Sequence, residues 1–154
     1  MSDGFVVREA RPEEAERVIE IYQWLFAPPG SVPPGWDPSA ATRRWSAASR
    51  GQDSLTLVAE AADGALVGLC TGYIDIESVR YGQRCWVEDL AVDPDARSQG
   101  VGAAVLAAAR EWGAERGATH LELDSGEARH DAHRFYEREA PAWRSNQYSW
   151  VLDR

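Results

Sequence analysis

The chain contains no lysine: all 16 of its basic side chains are arginine, set against 25 acidic ones. The formal charge of −9 excludes a non-specific nucleic-acid binder, which needs a basic face to displace counterions. A cationic small molecule suits such a chain better. The missing lysine also excludes a phosphate loop ending in Gly-Lys-Ser/Thr. Cysteine is nearly absent too. Cys70 and Cys85 sit in apolar strand-like segments without metal-ligand spacing and read as buried free thiols. The histidines His120, His130 and His133 have no cysteines in a suitable pattern beside them, so no metal is expected. No apolar run approaches membrane-spanning length, and the start MSDGFVVREARPEEAERV lacks a basic region followed by an apolar stretch. The expectation is a soluble, cytoplasmic protein with no membrane partner. At 154 residues and 44% hydrophobic content, the chain fits one globular domain with one site.

What is present alternates between two periodicities. FVVREA (5–10) reads as a strand, and the following stretch to residue 26 reads as a helix, with Pro12 at its start and Val18, Ile21, Tyr22 and Leu25 at helical spacing. Proline and glycine in APPGSVPPG end it in a stiff loop. A second helix starts at the cap Asp37. Strands follow over 54–61 and 65–76, joined by a hairpin at Asp63-Gly64, and over 84–92. Then come a helix from 101 to Gly117, a strand over 119–125, a short helix over 131–139 and a last strand over 148–153. The order predicts a mixed α/β layer protein whose 84–92 and 119–125 strands run parallel with a right-handed crossover.

The stretch ARSQGVGAAVL (96–106) places Gly100 and Gly102 where a helix begins. At a strand-to-helix turn the first helical N–H groups lack partners and the dipole adds positive charge, so a glycine there lets an anion approach. Arg97 adds a charge. By itself the pattern fits a structural turn as well as a phosphate site. The fragment VEDLAVDPDARSQGVGAAVLAAA, together with AHRFYERE downstream, resembles the GCN5-related N-acetyltransferases (GNAT), whose signature is a strand, an Arg/Gln-x-x-Gly-x-Gly/Ala turn and a helix, followed later by an Ala-x-x-Phe/Leu-Tyr-Glu segment. The resemblance runs across nearly the whole chain.

This resemblance implies one GNAT domain over residues 1–154. Its fold would be a mixed, mostly antiparallel central sheet, with a parallel, splayed strand-helix-strand unit and helices on both faces. It implies acetyl-CoA as co-substrate, the pyrophosphate on the backbone of Arg97, Ser98, Gln99, Gly100, Val101, Gly102 and Ala103, and the pantetheine arm along Leu90, Ala91 and Val92. It places Glu88 as general base, working through water, and Tyr136 as the acid near the sulfur, with the N–H of Leu90 or Ala91 facing the thioester oxygen. Asp89 is the competing base, because neighbouring strand residues face opposite ways unless a bulge intervenes.

Two positions depart from the family pattern: Arg129 stands where the family often has asparagine, and EAPAW replaces its Gly-Phe. For the acceptor, the resemblance points to the loop between the first two helices and to the late connection. Trp24, Trp36 and Trp143 could offer faces to a cation, and Asp75 and Glu77 add negative charge. A small cationic amine is the leading acceptor; a protein or peptide amine, or a non-catalytic acyl-CoA sensor on the same fold, are the alternatives. The last strand, with Trp143 and Trp150 near it, could extend a second copy's sheet into a homodimer.

Overall fold

A computed structural model describes residues 4–153. The backbone groups them into two compact units, one ending at Leu123 and the other starting at Asp124. In the first unit, β1 (Phe5–Glu9), β2 (Ser54–Ala61), β3 (Leu66–Ser78) and β4 (Gly82–Val92) pair antiparallel in chain order, and β5 (His120–Glu122) joins β4 in parallel. This is the mixed, mostly antiparallel sheet expected. The hairpin between β2 and β3 turns at Asp63-Gly64, where Asp63 Oδ1 accepts from the Ala65 N–H at 3.0 Å.

Each face of the sheet buries a different set of helices. Against one face pack α1 (Ala15–Glu20), α2 (Tyr22–Phe26) and α3 (Pro38–Ala48), closing Val18, Ile19, Ile21, Ala41 and Trp45 over Val58, Leu69 and Ala91. Against the other lies α4 (Val101–Glu115), whose Val101, Val105, Ala109 and Trp112 cover Leu55, Leu57, Cys70, Cys85 and Val87. The period-2 pattern of the strands and the helical stripes of α1–α4 account for this two-sided burial. Both cysteines are buried free thiols. Burial pushes Cys70 up to about 12 and Cys85 to about 11, which keeps both protonated and unreactive.

The helix expected over the stretch to residue 26 is divided into a 3-10 turn (Pro12–Glu14), α1 and α2. The break falls at Ile21, whose N–H reaches Val18 O at 3.2 Å, an i−3 bond that tightens the turn. Glu14, 4% exposed, closes the entry to this segment. Its two carboxylate oxygens take both terminal nitrogens of Arg8 at 2.8 Å, and the Arg11 N–H joins them at 2.8 Å. Arg17 lies at 3.3 Å, and Arg8 also donates to Glu60 at 2.6 Å. These donors, Arg8 foremost, hold the Glu14 carboxyl down at about 2.

The second unit contains α5 (His130–Arg138), stabilised by an Asp131–Arg134 ion pair one turn apart and by Arg144 on Glu137 at 2.6 Å. The strand expected over 148–153 does not form: the sheet ends at β5, and Tyr148, Trp150, Val151 and Leu152 are exposed. An alternating pattern makes a strand only where a ladder partner is available. No helix among the described residues is long and apolar enough to cross a membrane.

Candidate active site

The site is built on β4. Its neighbour β3 pairs Thr71 with Asp89 and Gly72 with Val87, so Glu88 is left without a cross-strand partner and forms a β-bulge. Gly72 fits this crossing because it has no side chain: a Cβ there would lie 2.6 Å from the carbonyl oxygen of Trp86. The bulge changes which way side chains point. Val87 and Leu90 both pack on the α4 side, whereas Ala91 packs on the α1–α3 side. Asp89, lying between Val87 and Leu90, accepts from Tyr22 Oη of α2 at 2.7 Å. Glu88 accepts at Oε2 from Trp86 Nε1 at 2.7 Å and from Tyr73 Oη at 3.0 Å. Strict alternation would send one of the two carboxylates to the opposite face; the bulge turns both toward the α1–α3 side.

The pairing of β4 with β5 stops at the same place. It covers Arg84–His120, Cys85–Leu121 and Trp86–Glu122, and among the described residues β4 has no ladder partner on that side from Val87 to Val92. Leu90, Ala91 and Val92 therefore lie on a strand edge open to a ladder from an extended ligand. Beyond β4, Ser98 and Gly100 both take left-handed backbone, with φ of 63° and 83°. Gly100 is the N-cap of α4, and no side chain caps that helix. A Cβ at Gly100 would meet nothing within 4 Å, so packing is not what demands glycine here. The left-handed turn favours glycine, and the space around it leaves the first N–H groups of α4 open. Arg97 is exposed beside them and makes no ion pair among the described residues. Replacing Gly100 by alanine should cost about 1 kcal/mol of stability through the positive φ. A urea melt beside the parent measures that loss.

The acceptor-side candidates fall into three places. Trp36 stacks on Tyr22 with centroids 5.9 Å apart and meets Phe26 edge-on at 4.7 Å, so its ring continues the aromatic wall behind Asp89. Trp24 packs on the α1–α3 core and lines a shallow hollow with Arg17, Glu20, Ile21, Gln23 and Leu66, a lining that does not include Glu88. Asp75 is engaged with Arg84, which donates from Nε at 3.0 Å and from a terminal nitrogen at 2.6 Å; Arg84 also reaches Glu122 at 3.1 Å. That pairing holds the Asp75 carboxyl below the usual carboxylate range. Glu77 stands exposed near the β3–β4 turn, opposite Gln83. In the second unit, Tyr136 is partly buried on α5 beside Phe135, with ring centroids 5.1 Å apart, and Trp143 is 49% exposed.

Sequence reasoning missed Tyr22, Tyr73 and Trp86. Trp86 two residues before Glu88 was a usable signal, since i and i+2 share a strand face. Tyr22 and Tyr73 reach the carboxylates through tertiary packing and register. Among the described residues, no group of three or more His, Cys, Asp or Glu side chains could hold a metal ion.

The chain is similar to several known proteins. Over 85 residues the chain is 35% identical to the uncharacterized N-acetyltransferase YhdJ of Bacillus subtilis (strain 168), covering 55% of this chain and 59% of the relative. Over 72 residues it is 38% identical to a streptothricin acetyltransferase of Streptomyces lavendulae, covering 47% of this chain and 36% of the relative. The matched region thus spans less than two thirds of either relative. Among solved structures, the aminoglycoside N-acetyltransferase AAC(6')-Iy in complex with CoA superimposes with a TM-score of 0.81 at 17% identity, covering 97% of this chain and 95% of the other, a likeness of fold. The model of the Acetyltransferase (GNAT) family matches residues 15–140, and the chain belongs to that family.

Proposed function

We propose that the protein is an acyl-CoA-dependent N-acetyltransferase that acetylates a primary amine of a small cationic molecule, by direct attack in a ternary complex. The observation that carries this reading is that one strand, β4, bears a bulged, outward-facing Glu88, then an unpaired edge, and leads into the uncapped N-terminus of α4 at Gly100. The open space at Gly100 and the exposed Arg97 fit a pyrophosphate. Residues 97–103 would hold it, and Leu90, Ala91 and Val92 would pair with the pantetheine arm.

When bound, acetyl-CoA supplies an activated acyl carbon and a thiolate leaving group. The chain has to supply the rest. An alkyl amine of pKa about 10 is mostly protonated near neutrality and must lose a proton before it attacks. Glu88 takes that proton through a water molecule. The N–H of Leu90 or Ala91 donates to the thioester oxygen as charge develops on it. The nitrogen–carbon bond forms, the carbon–sulfur bond breaks, and Tyr136 gives its proton to the departing sulfur. Asp75, Glu88, Asp89 and Glu122 against Arg84 leave this part of the sheet negative, which favours a cationic acceptor. The likenesses to a streptothricin acetyltransferase and an aminoglycoside N-acetyltransferase point the same way.

Thiol release from acetyl-CoA across polyamines, aminoglycosides, amino acids and short peptides tests this reading. The expected result is turnover with one class of small amine, with Tyr136→Phe lowering kcat by about tenfold to hundredfold. Turnover confined to peptides would replace the acceptor class. Coenzyme binding without turnover on any amine would make the chain a sensor.

A further inference from the structure

Glu88 is exposed, and an exposed glutamate ordinarily samples several rotamers, which costs a general base its aim. Here its Oε2 receives two donors at once, Trp86 Nε1 at 2.7 Å and Tyr73 Oη at 3.0 Å. No donor among the described residues reaches Oε1. Neither donor can switch role: an indole N–H only donates, and the Tyr73 hydroxyl, pushed up to about 12 by burial and by Glu88, keeps its proton. Trp86 is itself held in place. The Arg84 guanidinium lies over its ring, 4.9 Å from the centroid, and is fixed by Asp75 and Glu122.

We infer that Tyr73 and Trp86 are positioning residues that clamp one oxygen of Glu88 and thereby present the other to the water and amine of the transfer reaction. The inference rests on the N-acetyltransferase reading above, with Glu88 as base. Both rings stand on the Glu88 face by ordinary strand geometry, Trp86 two residues before it and Tyr73 directly across from Trp86; what the bulge adds to that face is Asp89. A regular strand would not bring Tyr73, Trp86, Glu88 and Asp89 to one face together.

Tyr73→Phe and Trp86→Phe keep an aromatic ring and remove the donor. Each should lower kcat about tenfold, the loss of one hydrogen bond to a charged group, with KM for acetyl-CoA unchanged. In a Glu88→Gln background neither should lower kcat further, because the group they aim is already gone. Losses that add fully to that of Glu88→Gln, or no loss in the Tyr73→Phe/Trp86→Phe double variant, would overturn the inference. A second readout needs no turnover. The Trp86 indole N–H resonance, identified by its disappearance in Trp86→Phe, should move upfield in Glu88→Gln. An unmoved resonance overturns the clamp even if the enzyme is active, whereas a moved resonance in a protein that acetylates nothing keeps the clamp and rejects the N-acetyltransferase reading.

Discussion

Glu88→Gln is expected to lower kcat by about a hundredfold or more, the ordinary contribution of a positioned base, while coenzyme A binding stays as in the parent. Glutamine keeps the size and an acceptor oxygen but cannot take the proton of an ammonium. The residual rate should climb with pH toward the amine pKa of about 10, since the variant has to wait for an amine that is already neutral. Asp89→Asn is the paired measurement. Asp89 shares the face but accepts Tyr22 Oη at 2.7 Å, so its loss should cost less, chiefly by loosening α2 and the Trp36 stack. Initial rates of thiol release for both variants decide the matter. A larger loss in Asp89→Asn than in Glu88→Gln would exchange their roles.

The second large effect concerns stability. Glu14→Ala removes the buried centre of a part-buried ion cluster and leaves Arg8 with Glu60 and the Glu9 carbonyl, which should cost about 3 kcal/mol, the lower end for breaking a buried pair. The sign of its pH dependence follows from the direction of the shift. The folded carboxyl sits at about 2, below the ordinary 4.5, so folding favours the ionised form. That contribution is fully present above the ordinary value and is lost as pH falls from there through about 2. Urea melts of parent and variant at neutral pH should show the full gap. At roughly pH 3 the part due to ionisation should be about half gone, because the unfolded chain then binds the proton that the folded one refuses. A gap that stays constant down to that pH would mean the cluster stabilises through packing alone.

The strands and helices of the first unit are written in local signals. Asp63-Gly64 marks a hairpin, Val18 and Ile21 mark a buried stripe, and Gly100 marks a left-handed turn before α4. The strand at 148–153 has the same alternation yet does not form, because alternation specifies a face and not a partner. The direction of Glu88 and Asp89 was not legible for a related reason. It depends on a register shift between β3 and β4 that Gly72 accommodates by close approach to the Trp86 carbonyl. Tyr22 read as one more apolar position on its helix. Its hydroxyl bond to Asp89 spans 67 residues of sequence, a distance over which periodicity carries no information.

The bulge also separates reactivity from architecture. Val87 faces α4, Asp89 faces α2, Leu90 faces α4 and Ala91 faces α1–α3. With Glu88 excised, these four would already alternate correctly, with every apolar side chain on its present face. The carboxylate thus sits on the extra residue of the bulge, outside the alternation that holds the core, so its side chain can be exchanged without disturbing the apolar faces beneath.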